Sequence, residues 1–370
     1  MGGIRVSLND AVNNIAFEGE FMEAVPYGCG HINDTYAVYF RKRDRQIHRY
    51  ILQRINTKVF KEPEKLMENI YHVTGFLRKK IIANGGDPDR ETLNIIPTTD
   101  GKSFYKTDEG DYWRGYKFIE DAKTYEIIED ANVFYNAGKA FGTFQMLLHD
   151  YPADTLHETI VDFHNTEKRL SAFLEAVKSD RMNRAKGIQE EISFIENRAT
   201  ETSIIVNLLE DGELPLRVTH NDTKLNNILI DNETGKGICV LDLDTVMPGS
   251  ALYDFGDAIR FGASSAAEDE KDLSKVWMDI NLFESFTKGF MESAAESLTP
   301  LEIELLPFGA KIMTLECGIR FLTDYLNGDT YFKIHREGHN LDRARTQLKL
   351  VASMEEQYDQ MKAIVQKYLR

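Results

Sequence analysis

The most informative alternation of apolar and polar positions lies past the middle of the chain. Leu214 to Val218 form an apolar run, Thr219 to Asn227 a polar loop, and Ile228-Leu229-Ile230 a second apolar run. The turn-forming segment Asp231-Asn232-Glu233-Thr234-Gly235-Lys236-Gly237 separates that run from Ile238-Cys239-Val240-Leu241, so the pattern predicts a hairpin. In an antiparallel pair the end of the second strand lies opposite the start of the first. Asp242 therefore comes beside Asn227, next to the loop that carries Asp222.

On the N-terminal side the period is mostly two. Thr35 to Phe40 alternates as a strand after a Gly-containing loop, and Arg49 to Ile55 predicts the next strand. A helix is expected from about residue 62 to 82, then short strands at 93–97, 103–106 and 111–118, and residues 11–17 read as one amphipathic helix. Beyond Ala122 the period becomes helical. Val133, Ala137, Phe141, Phe144 and Leu148 share a face, and Gly138 and Gly142 lie four apart on one face, which permits close packing. Segments 163–177 and 188–209 continue this pattern. Thr299-Pro300-Leu301-Glu302 is a capping box that opens a helix to Leu326, and a last helix is expected over 341–369.

A chain of 370 residues exceeds one ordinary core and predicts two lobes, and 42% hydrophobic residues suffice to fill them. A net charge of −16 argues against a nucleic-acid or anionic-membrane partner, since either needs a clustered positive field. Cys29, Cys239 and Cys317 form no CxxC pair, so neither a disulfide framework nor a structural zinc site is expected. No apolar run approaches the roughly 18 to 20 residues of a membrane span, and a cytoplasmic protein is expected.

Asp222, Asn227 and Asp242 are the inventory of Mg²⁺-dependent phosphoryl transfer. One carboxylate takes a proton, while a second carboxylate and an amide oxygen hold a hard cation that draws further ligands from water and phosphate. His220 braces the loop, and Asp244, two residues past Asp242, shares its face if the strand continues. Asp244 is then a ligand, a substrate contact or a solvated charge. Arg320 sits in the apolar stretch Gly318-Ile319-Arg320-Phe321-Leu322 with Glu316 and Asp324 four residues away. Burying that charge needs partners, so it is either in an ion pair or a fork aimed at a ligand.

His220-x-Asp222-x4-Asn227, Leu241-Asp242-x-Asp244 and Tyr253-Asp254-Phe255-Gly256-Asp257 resemble the aminoglycoside phosphotransferase and choline kinase family. Within it, Thr219 to Asn227 and the segment Leu315 to Leu326 are similar to the N-acetylhexosamine 1-kinases. The resemblance implies an α+β, two-lobed protein-kinase-like fold, with a small β-rich nucleotide-binding lobe at 1–120 and a larger, mainly helical catalytic lobe at 121–370. It implies ATP and Mg²⁺, with Asp222 as catalytic base and Asn227 and Asp242 on the metal. Gly30 of the loop would cover the phosphates, and Phe118 and Ile119 would form an adenine-binding hinge. His31, Asn33, Asp244, Arg320 and Tyr331 would contact a sugar, and Asp254 would buttress the catalytic loop. A monomer acting on a small sugar is expected.

Two departures stand out. Asn221 replaces the family's usual Gly, and the strand from Arg49 to Ile55 lacks the usual Lys, leaving Gln53 and Arg54 as alternatives for the phosphates. Glu64 or Glu68 would be the paired acid, or part of an exposed helix face. The alternatives to a hexosamine kinase are a kinase for choline, an aminoglycoside or another sugar, a nucleotide-binding module without catalysis, and a metal hydrolase built on His220, Asp222, Asp242 and Asp244.

Overall fold

The structure is a computed structural model and describes residues 2–28, 32–126, 128 and 130–369, with the backbone alone for residues 2–6. Helix α1 (Gly2–Asn14) precedes strands β1 (Glu20–Pro26), β2 (Asp34–Arg41) and β3 (Ile47–Ile55), helix α2 (Pro63–Ala83), and strands β4 (Ile95–Ile96), β5 (Tyr105–Lys106) and β6 (Tyr112–Lys117). The strands form one antiparallel sheet in the order β1-β2-β3-β6-β4, with β5 on β6. Register pairs Gln53 with Thr35 on one side and with Arg114 on the other. The two-residue period then sorts the faces. Val38, Phe40, Tyr50, Leu52 and Trp113 pack against Leu8, Ala11 and Val12 of α1. Thr35, Gln53 and Arg114 occupy the opposite face.

The rest is mainly helical, as the sequence pattern predicts. It comprises β7 (Ala122–Lys123), α3 (Ala131–Leu147), α4 (Thr166–Ser179), α5 (Gln189–Glu196), α6 (Ile204–Glu210), β8 (Arg217–Thr219), β9 (Ile228–Asp231), β10 (Gly237–Val240), β11 (Met247–Gly249), α7 (Ala251–Gly262), α8 (Ile280–Ala294), α9 (Pro300–Leu326), α10 (His339–Glu356) and α11 (Tyr358–Lys367). Two small sheets, β10-β9-β7 and β11-β8, frame the loop from 220 to 227. Among the described residues no helix is long and apolar enough to cross a membrane.

Three expectations are corrected. The first helix lies earlier than 11–17, because Ile15 leaves it to bridge Thr98. The helical pattern of 188–209 is split by a turn at Ala199–Glu201. The last helix breaks at Gln357, whose backbone leaves the helical region (φ −105°, ψ 9°) and whose amide reaches the Met278 carbonyl at 2.9 Å.

Helix α3 crosses α8 through glycines. A Cβ at Gly142 would sit 2.6 Å from the Phe290 carbonyl oxygen, and one at Gly138 would strike that of Phe286. Gly142→Val is therefore expected to lower stability by about 3 kcal/mol, at the upper end of overpacking costs, which a urea unfolding midpoint would register.

Candidate active site

Strand β8 enters the catalytic loop from a buried anchor. Arg217 pairs with Glu302 at 2.5 Å, and Glu302 also completes the Thr299 capping box that starts α9. The loop then turns through Asn221 at φ 66°, a left-handed conformation that Asn tolerates better than most side chains. That conformation accounts for the His-Asn-Asp departure, since Asn and Gly both meet its backbone demand. Both Asp254 oxygens hold the turn, accepting the amides of His220 (2.9 Å) and Asn221 (2.8 Å), with Gln145 Nε2 adding a third donor at 2.6 Å. Asp254 thus buttresses the loop from α7. Burial pushes its carboxyl up, against the pull of His220 and those donors.

His220 Nδ1 accepts the Asp222 amide at 3.2 Å and its Nε2 meets the Leu241 carbonyl at 2.7 Å, a pattern that assigns the neutral Nε2–H tautomer. Both ring nitrogens are thereby engaged with the backbone, and the ring braces the loop. The Asp222 carboxylate is 29% exposed, with Lys224 Nζ at 2.7 Å from Oδ1 and Asn227 Nδ2 at 3.3 Å from Oδ2. Burial works against the Lys224 charge, but Asp222 and Asp257 outweigh it and hold the ammonium above its usual pKa. Lys224 was missed in the sequence, where an Asp-x-Lys spacing was its only signal.

The hairpin brings Asp242 to Asn227: Leu241 donates to the Asn227 carbonyl at 2.8 Å. The strand ends at Val240, however, and Asp242 is left-handed (φ 53°), so the shared strand face expected for Asp242 and Asp244 does not form. Asp242 stays exposed, while Asp244 is 3% exposed and lies 2.5 Å from Arg114 and 2.6 Å from Asn33 Nδ2. Asp244 is therefore not a solvated charge. Although its surface is open, the protein crowded around it strips water from the Asp242 carboxyl and, with the charges of Asp244 and Asp222, pushes it up to about 7, while Arg114 opposes that rise.

Arg114 is the other residue that escaped the sequence reading, because an Arg in a strand carries no spacing signal. Its Nε and one terminal nitrogen donate to Gln53 Oε1 at 3.0 and 2.9 Å, and Gln53 Nε2 donates to Thr35. Gln53 thus faces the cluster. Arg54 does not; it points to the opposite face, where Asp34 and Asp111 hold it. Glu64 accepts the Tyr112 hydroxyl and Glu68 pairs with His157, so neither meets Arg114. Gly30 and His31 lie outside the described residues.

At the hinge, the Arg49 guanidinium stacks 3.7 Å over the Phe118 ring while holding Glu120. Ile119 is buried, and its peptide N–H and C=O find no protein partner among the described residues. Buried peptide groups ordinarily have partners, so this position suits a planar ligand edge. Across the molecule, both acids flanking Arg320 are occupied elsewhere. Glu316 binds His164 and Thr166, and Asp324 accepts the amides of Thr330, Tyr331 and Phe332. Arg320 has no carboxylate within reach among the described residues and lies between the Phe163 and Phe332 rings at 5.4 and 5.6 Å. Tyr331 beside it is 70% exposed.

Residues 23–273 match the model of a phosphotransferase enzyme family, which is more than half of the chain. The chain belongs to that family. Solved structures share the phosphotransferase's fold at low identity. A microcompartment-associated aminopropanol kinase is 15% identical with a TM-score of 0.59, covering 97% of this chain and 98% of that one. A choline kinase from Cryptosporidium parvum Iowa II is 15% identical at 0.56, covering 99% of each. A spectinomycin phosphotransferase in complex with ADP and spectinomycin is 12% identical at 0.54, covering 90% and 93%. The phosphotransferase is thus an α+β protein of kinase-like build.

The donor set suits a divalent cation. Asn227 uses only its NH₂ end among the described residues, leaving Oδ1 open, and Asp242 accepts no protein hydrogen bond there. No group of three or more His, Cys, Asp or Glu is placed to hold a metal among those residues. One carboxylate and one amide oxygen fit an ion that keeps its remaining positions for water and phosphate.

Proposed function

We propose that this phosphotransferase transfers the γ-phosphoryl of ATP to the C1 hydroxyl of an N-acetylhexosamine, GlcNAc or GalNAc. The observation that carries the sugar reading is Arg320, a guanidinium with no carboxylate partner, framed by Phe163 and Phe332. Its five donors suit hydroxyl and acetamido oxygens, and the rings suit the faces of a pyranose. Asn33, Asp244 and Tyr331 complete the proposed sugar contacts, with residues 1–120 binding nucleotide and 121–370 carrying catalysis.

Asp222 orients the C1 hydroxyl and receives its proton as the sugar oxygen bonds to the γ-phosphorus. The bond from that phosphorus to the β–γ bridging oxygen breaks, so ADP leaves with the electron pair. Lys224 pairs with Asp222 at 2.7 Å and fixes its carboxylate in place, and the Ile119 peptide meets adenine beside Phe118. Mg²⁺ on Asn227 and Asp242 would neutralise charge on the phosphates.

Arg320→Ala is expected to raise the acceptor KM about 10- to 100-fold, the loss of a charge-assisted hydrogen bond, with the ATP KM unchanged. Steady-state kinetics in both substrates check this.

A second reading, a cationic amino alcohol as acceptor, draws on one observation. A cavity of about 200 Å³ beside Asn221 is lined by Glu158, Asp162 and Glu210 together with Phe163 and Tyr253. Its charge suits an ammonium, although Lys168 already pairs with Asp162. ATP consumption with Mg²⁺ across free sugars, choline, amino alcohols and aminoglycosides, with ³¹P NMR of the product, decides. An anomeric phosphate supports the sugar; turnover on cationic acceptors alone overturns it; nucleotide binding without turnover supports a module without catalysis.

A further inference from the structure

Strand β3 presents an amide, Gln53, where a phosphate-binding lobe needs a cation. The guanidinium of Arg114 lies directly across that amide from the next strand, bonded to it through two N–H groups. We propose that Arg114 is the cation that receives the nucleotide phosphates in this enzyme, and that Asp244, not an acid on α2, is its ion-pair partner. The proposal rests on the ATP-dependent reading above.

Four observations converge. First, of the two residues the sequence offered on β3, Arg54 is committed to Asp34 and Asp111 on the far face of the sheet. Second, α2 turns a thioether to Arg114, with Met67 Sδ at 3.8 Å, while its Glu64 and Glu68 are engaged elsewhere. The acid comes from the other lobe, where Asp244 lies 2.5 Å away and two residues beyond the proposed metal ligand Asp242. Third, two guanidinium N–H groups are used on Gln53, one faces Asp244 and one the weak acceptor Met67 Sδ, which leaves a free donor on the terminal nitrogen that also meets Gln53. Fourth, Asp222, Asp242 and Asp244 converge with Lys224 on the Asp222 side and Arg114 on the Asp244 side. A polyanionic nucleotide needs positive charge on that second side, and Arg114 is 1% exposed, so water screens it little.

A structural ion pair would look the same in a static structure, so the test separates the two. Binding of MgADP by calorimetry, KM for ATP and for acceptor, and the unfolding midpoint are measured for wild type, Arg114→Lys, Arg114→Met, the pair Arg114→Met with Asp244→Asn, and the pair Arg114→Met with Gln53→Lys. Arg114→Met leaves Asp244 buried and unpaired and lowers stability; adding Asp244→Asn removes that charge and recovers it. ATP and ADP affinity should fall at least about 10-fold in both, the loss of one charge-assisted contact, with the acceptor KM unchanged in Arg114→Met, the variant that keeps the proposed sugar contact Asp244. Arg114→Lys, and a lysine at Gln53, should restore nucleotide affinity in part. Recovery of nucleotide affinity together with stability in the Arg114→Met, Asp244→Asn protein would overturn the proposal, as would unchanged affinity in Arg114→Met. Failure of the kinase reading is distinct: wild type would then bind no MgADP.

Discussion

Asp222→Asn should lower turnover by at least 10²- to 10⁴-fold, the usual contribution of a positioned general base, with the unfolding midpoint almost unmoved. The carboxylate is 29% exposed and its partner Lys224 is 35% exposed, so the ion pair adds little to stability. An Asn side chain preserves the reach to Asn227 and removes proton acceptance together with the charge that pairs with Lys224. The ATP KM should stay close to wild type, because Asp222 meets the acceptor and not the nucleotide. Product formation by ³¹P NMR checks the rate and far-ultraviolet dichroism the fold; wild-type turnover in this variant would discard Asp222 as the base.

Asp254→Ala should remove both activity and a large part of the stability. Its carboxylate accepts three buried donors, the His220 and Asn221 amides and the Gln145 side chain, and the two amides have no other acceptor to turn to. Gln145 keeps the Val218 carbonyl at 3.1 Å, so two donors are stranded; at about 1 to 3 kcal/mol each, a loss of about 2 to 6 kcal/mol is expected out of the roughly 5 to 15 kcal/mol of a folded domain. Urea unfolding measures it. Asp254→Asn retains one acceptor oxygen and should fall in between; an alanine variant as stable as wild type would mean that the loop needs no support from α7.

Local chemistry explains what the sequence revealed. The hairpin was legible because turn formers separate two apolar runs, and its register alone delivers Asp242 to Asn227. The capping box and the Gly138 and Gly142 face were legible for the same reason, since each is set within a few residues. What escaped depends on contacts between distant segments. Arg114 meets Asp244 across 130 positions of chain, and nothing near either residue announces the other. Asp242 and Asp244 were assigned to one strand face because alternation extrapolates; the left-handed turn at Asp242 breaks it, and side-chain pattern does not report φ. Arg320 was left between an ion pair and a ligand fork, and the distant partners that occupy Glu316 and Asp324, His164 with Thr166 and the turn at Thr330 to Phe332, close the first option.

The two left-handed residues flanking the hairpin, Asn221 and Asp242, limit how this site can vary. At such φ values Gly, Asn and Asp are tolerated, and β-branched residues are outliers. In a saturation library, position 221 should accept Gly first and reject Val, Ile and Thr, although it bears no reacting group. Position 242 has to satisfy the backbone and the cation together, and Asp alone among the carboxylates is at home in both. Glu, chemically its nearest substitute, should be lost from such a library for reasons of backbone shape as much as of reach.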